Sequence, residues 1–142
     1  CMGTGMREVE RSRFVMARPP AVHRTLSPEA VVAAEGTFTV TAVEETETGT
    51  LVTAAGPGMS VPLRFETRDD GLRYTAEGDV GPFDHLETEL TVTPVENGSR
   101  LTMRSTVSLN LPLPFADRIA AWKRGNELER ALDELAADVP GA

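Results

Sequence analysis

The chain alternates apolar and polar residues in short runs, bracketed by two stretches of helical spacing, and this layout already predicts an architecture. Arg7 to Val15 reads as a first strand, stopped by Ala17-Arg18-Pro19-Pro20. Pro20 suits a first helical turn, so a short helix is expected over Ala21 to Leu26. Ser27 then offers a capping oxygen, and Pro28 fits the first position of a second helix. That helix should run to about Ala34 and end at Gly36.

From Thr37 the period becomes two, the spacing of a strand with one covered face. Phe38, Val40 and Ala42 share a face of a strand that reaches Val43, and a second strand runs from Thr50 to Ala55. Gly56-Pro57-Gly58 breaks the pattern, and Ser60 to Arg68 resumes it with Val61, Leu63 and Phe65 together. Asp69-Asp70-Gly71 signals a hairpin into Leu72, Tyr74 and Ala76. After a loop from Gly78 to Pro82, the run from Asp84 to Val92 turns Leu86, Leu90 and Val92 inward. Asn97-Gly98 leads into Arg100 to Leu109, where Leu101, Met103, Val107 and Leu109 share a face. Hairpins in succession make an antiparallel meander of six or seven strands, with no internal repeat or linker.

The last stretch, from about Pro114 to Val139, is helical. At about 100° per residue, Ala121, Gly125, Leu128, Leu132, Leu135 and Val139 form one stripe, while Phe115, Ile119 and Trp122 lie nearly opposite. This split predicts a kink or break at Gly125, with Trp122 near a cavity mouth or at an oligomer contact. A sheet that must bury one face, followed by one long helix, predicts an α+β domain in which the sheet curls round the helix. A gap between the two is a ligand site.

Composition narrows the partners. A chain of 142 residues is one domain with room for a core, and its single cysteine, Cys1, excludes a disulfide framework or thiolate cluster. Two histidines make no recognisable metal site, and no cofactor is implied. No apolar run approaches a membrane span, so stable membrane insertion is not expected and the location should be cytoplasmic. The first five residues read as a leader before Met6, although Cys1 would also begin a lipid-modified mature chain. Formal net charge is -8, from 22 acidic and 14 basic residues, which argues against nucleic acid as a partner. Lys123 is the sole lysine; excess acid with almost no lysine resembles proteins of salt-adapted cells.

If the apolar faces line an interior tunnel, its walls are Leu63, Phe65, Tyr74, Leu86, Met103 and Val107. Thr88 and Ser105 fall on the same inward phase and supply hydroxyls, and Trp122 would stand at the mouth. His23 is the sharpest acid–base candidate, since imidazole titrates near neutrality. His85 cannot pair with the adjacent Asp84 within one strand and should face solvent. The outward phase carries Arg64, Glu66, Arg68, Arg73, Glu77, Glu87, Glu89 and Arg104, predicting cross-strand ion pairs on a solvated face.

The order of elements, the Ala17–Val22 segment Ala-Arg-Pro-Pro-Ala-Val after the first strand, the Asn97–Thr102 hairpin and the helix end at Leu128–Ala136 together resemble the START-like superfamily, also called SRPBCC or polyketide cyclase-like. Val22 matches the family's valine, while His23 stands where an aromatic is usual. The resemblance covers residues 7–140 as a single domain, with 1–6 as leader or disordered. It implies a helix-grip fold, a curved seven-stranded antiparallel sheet wrapped round the C-terminal helix, and a hydrophobic small molecule as partner. No catalytic residues follow from it.

Three functions fit. The first is a binding protein for a lipid or polyketide-like metabolite, with Leu63, Phe65, Tyr74, Leu86, Thr88, Met103, Ser105 and Trp122 contacting the ligand. The second is a cyclase or dehydratase using Tyr74 or His23 as acid or base in the same cavity. The third is an interaction module that docks through Phe115, Ile119 and Trp122, as monomer or homodimer.

Overall fold

The computed structural model describes residues 7–36, 38–47, 49–56, 59–77, 83–109 and 116–139. Among them run β1 (Arg7–Val15), α1 (Pro19–His23), α2 (Pro28–Glu35), β2 (Thr39–Thr46), β3 (Gly49–Gly56), β4 (Met59–Arg68), β5 (Gly71–Ala76), β6 (Phe83–Val95), β7 (Gly98–Leu109) and α3 (Ala116–Ala137). The strands form one curved antiparallel sheet of seven, in the order β1-β7-β6-β5-β4-β3-β2. Helix α3 lies against β1 and β7, with α2 packed on it; α1 touches β6 and β7. No helix among the described residues is long and apolar enough to cross a membrane.

Local chemistry explains the boundaries. Ser27 accepts a hydrogen bond from the Ala30 amide at 3.1 Å, Pro28 starts α2, and Gly36 ends it in the left-handed region at φ 80°. At the β6–β7 hairpin Asn97 takes φ 70°, the conformation an Asn-Gly turn supplies. Helix α1 is shorter and earlier than its spacing suggests, because Pro19 opens it and Arg24 and Thr25 turn out of it. Val22, the residue shared with the START-like pattern, is fully buried.

Two expectations need correction. In β2 a bulge between Val40 and Ala42 shifts the register by one residue. Val40 pairs with Ala54 on the inner face, whereas Ala42 moves outward opposite Thr53 and is exposed. A one-residue slip exchanges faces, which a strict period of two hides. The break expected at Gly125 is also absent, since α3 runs unbroken through it. Gly125 instead faces β1: a Cβ there would come 3.3 Å from Val9 Cγ1 and 2.6 Å from an Arg11 guanidinium nitrogen. The glycine lets α3 approach the edge strand closely. The Gly78–Pro82 loop, Phe115, the leader residues and the side chain of His85 lie outside the described residues.

The outer face of the sheet carries the ion pairs expected of it. Arg64 pairs with Glu77, Arg73 bridges Glu66 at 3.0 Å and Glu87 at 2.6 Å, and Arg104 meets Glu89 at 3.1 Å. These groups are solvated, so their pairing orders the face and adds little stability.

Candidate functional site

The inner face of the sheet is built in rungs across the strands, and one of them is polar. Backbone pairing aligns Phe65 with Tyr74, Tyr74 with Thr88, Thr88 with Ser105, and Ser105 with Val9. The rung on one side of it joins Leu72, Leu90 and Met103, all buried. On the other side, Leu63 pairs with Ala76 and Leu86 with Val107. Ala76 and Leu86 in that last rung are partly exposed, as is Ala121 of α3. The polar rung therefore forms the floor beneath an apolar layer that reaches solvent at one end.

Helix α3 lowers Arg124 onto this floor. The residue is 6% exposed, and its Nε donates to Ser105 Oγ at 2.9 Å. One terminal nitrogen donates to Glu35 Oε1 at 2.8 Å and to Glu127 Oε1 at 2.9 Å. The other donates to Thr88 Oγ1 at 2.7 Å and to the Tyr74 hydroxyl, with Glu35 Oε2 at 3.4 Å. Tyr74 in turn donates to Glu35 Oε2 at 2.6 Å, and the Thr88 and Ser105 oxygens are 2.9 Å apart. Ser105 also donates to the Glu87 carbonyl at 3.2 Å. The Phe65 ring, 4.8 Å centroid to centroid, fixes the tilt of Tyr74.

This is the arrangement that makes a buried charge tolerable. Every polar group in the layer has a partner, and among the described residues no buried side-chain nitrogen or oxygen lacks one. Burial opposes the charge on Arg124, but Glu35, Tyr74 and Glu127 more than reverse it, leaving the guanidinium firmly protonated. Burial also pushes the Tyr74 phenol well up; Arg124 opposes that rise and Glu35 adds to it. At neutral pH Tyr74 is a neutral hydroxyl and a hydrogen-bond donor.

Of the residues singled out in the sequence, Tyr74, Thr88 and Ser105 come together in the polar rung. Leu63 and Leu86 lie in the rung above it, and Met103 in the rung below; Phe65 flanks Tyr74. Trp122 stands apart, 69% exposed, as does Ile119 at 63%. His23 is half-buried on α1, away from this set. Sequence spacing missed Glu35 and Arg124, the two charges that organise the layer. Both left a trace: Arg124 lies three residues after Ala121 and four before Leu128, on the edge of the apolar stripe, and Glu35 follows Val31 and Val32 at helical spacing. A charge at a core phase is such a signal. A separate open groove between α2 and β2, lined by Ala30, Ala33, Phe38 and Val40 among others, shares no residue with the polar layer.

A curved antiparallel sheet gripping a C-terminal helix, with a polar layer inside the grip, defines a START-like domain. The chain belongs to the family described as polyketide cyclase / dehydrase and lipid transport, which matches residues 6–140. The Zhui aromatase/cyclase of Streptomyces sp. R1128 is similar in structure, with a TM-score of 0.72 at 14% identity over 94% of this chain and 93% of that one. A START superfamily protein of Mycobacterium smegmatis gives 0.72 at 15% identity, over 93% of this chain and 96% of that one. A protein of Thermus thermophilus gives 0.62 at 20% identity, over 92% and 98%. Identities this low show a common fold. No curated protein matches the chain.

Proposed function

We propose that the protein binds a hydrophobic small molecule between α3 and the concave face of the sheet, with the apolar body against Leu63, Ala76, Leu86, Val107 and Ala121 and a polar end on the Arg124 layer. The observation that carries this reading is the polar rung itself. A guanidinium, a carboxylate and three hydroxyls inside an otherwise apolar interior give orientation to a ligand that apolar contacts alone would hold loosely. The family, whose description names lipid transport, supports the same reading.

The test is native mass spectrometry of the purified protein against its organic extract. A stoichiometric small molecule released on denaturation is the expected result. An empty protein that also fails to take up an uncharged apolar probe such as N-phenyl-1-naphthylamine would defeat the proposal.

One observation favours an enzymatic second reading. Tyr74 donates to the Glu35 carboxylate and accepts from Arg124, so a proton donor and a proton acceptor stand side by side in a buried site. Such a pair suits the cyclase or dehydrase chemistry in the family's description. Turnover of a substrate that Tyr74→Phe abolishes, with the fold and ligand affinity retained, would raise this reading above simple binding.

A further inference from the structure

Resting on the ligand-binding reading above, we infer that the polar end of the ligand is an uncharged hydroxyl, and that the site rejects the matching carboxylate. The donors of the polar layer are already committed. A guanidinium has five N–H bonds, and those of Arg124 go to Ser105, Glu35, Glu127, Thr88 and Tyr74. The Tyr74 hydrogen goes to Glu35 and that of Ser105 to the Glu87 carbonyl, which leaves Thr88 donating to Ser105. Acceptor capacity is what remains. The Glu35 carboxylate, with about four lone-pair sites, meets Arg124 at 2.8 Å and Tyr74 at 2.6 Å, and one further guanidinium contact at 3.4 Å.

A ligand hydroxyl brings the donor that this surface lacks, and no charge. A ligand carboxylate brings only acceptors. To be satisfied it must take an N–H from Glu35 or Glu127, and it places a third negative charge beside one buried guanidinium. Arg130, the further cation near Glu35, is exposed and donates to the Glu35 backbone carbonyl at 3.1 Å. Exchanging one carboxylate for another therefore gains nothing and strands a buried charge.

The experiment is calorimetric titration of the whole chain with 2-naphthol, 2-methoxynaphthalene and 2-naphthoate at neutral pH. Physiological salt keeps the long-range effect of the net negative charge small. Amide NMR shifts at Ala76, Leu86 and Ala121 locate the binding. 2-Naphthol should bind about tenfold or more tightly than either relative, the worth of one well-made hydrogen bond or one avoided charge. Equal or tighter binding of 2-naphthoate overturns the inference and leaves the ligand-binding reading standing. Parity of 2-naphthol with 2-methoxynaphthalene overturns the hydroxyl assignment. Failure of all three to bind counts against the ligand-binding reading and removes the inference with it. Glu35→Gln should bring 2-naphthoate to parity with 2-naphthol, and a folded variant that keeps the full preference overturns the role given to Glu35. Should that variant unfold, the wild-type ratios alone decide.

Discussion

Arg124, Glu35 and Tyr74 hold their buried positions only as a set, because each desolvated group depends on the others for its hydrogen bonds. Arg124→Met should cost about 3–5 kcal/mol in urea unfolding, since it leaves Glu35 buried without its cation. Replacing Glu35 by Met as well should recover most of that loss, and a double variant as unstable as the sum of the singles would show that the residues are uncoupled. Tyr74 gives a second test through pH. Its folded-state value is raised, chiefly by burial, so the folded chain holds the phenolic proton more tightly than the unfolded one. The stability this contributes is complete below the ordinary phenol value of about 10 and is lost as the pH climbs beyond it towards the folded value. Tyr74 is the only tyrosine, so tyrosinate absorbance should appear with unfolding and not before it. Tyr74→Phe should remove this alkaline loss, and tyrosinate in a still-folded chain near the ordinary value would contradict the account.

At the scale of elements, the polar layer depends on where α2 ends. Glu35 is the last residue of that helix, and the Ser27 cap and the left-handed Gly36 set its length. Ser27→Ala should lose about 1 kcal/mol through the missing cap. Gly36→Ala should lose about 1–2 kcal/mol, because an L side chain is strained at φ 80° and its Cβ would press on Arg130 at 2.8 Å. The two substitutions should also weaken ligand binding, since both loosen the helix end that carries Glu35. Thermal melts and probe titrations check this pair of outcomes; unchanged affinity with lowered stability would separate α2 from the site. Gly125 does a comparable job for α3, whose contact with β1 is reinforced by Arg11 to Glu129 at 2.9 Å and by Arg13 to Asp133.

For the molecule as a whole, the charge balance sets the response to salt. Among the described residues, Arg11, Arg13, Arg64, Arg68, Arg73 and Arg104 pair with carboxylates on the sheet face or across to α3, yet the chain still carries a formal charge of -8. Screening weakens the surface pairs a little and the net repulsion more. If the acidic excess is a salt adaptation, the melting temperature should rise from low to molar potassium chloride, followed by circular dichroism. A melting temperature that falls steadily with salt would remove that proposal and leave an ordinary acidic protein.

The inward phase of most strands, the hairpins, the α2 cap and the family were legible in the sequence, because each is written in local periodicity, in a turn residue whose chemistry has few alternatives, or in the order of the elements. Tyr74, Thr88 and Ser105 were visible on the same basis, since inward phase follows from a period of two. The bulge in β2 was not, because one inserted residue leaves the composition of the strand unchanged while exchanging its faces. The unbroken course of α3 was not either, because a glycine reads alike as a hinge and as a point of close approach. Only the tertiary structure brought Glu35 and Arg124, 89 positions apart in the chain, to 2.8 Å and laid them on the rung of hydroxyls. Long-range pairing of charges depends on how helices cross a sheet, and the periodicity of either element alone does not encode that crossing.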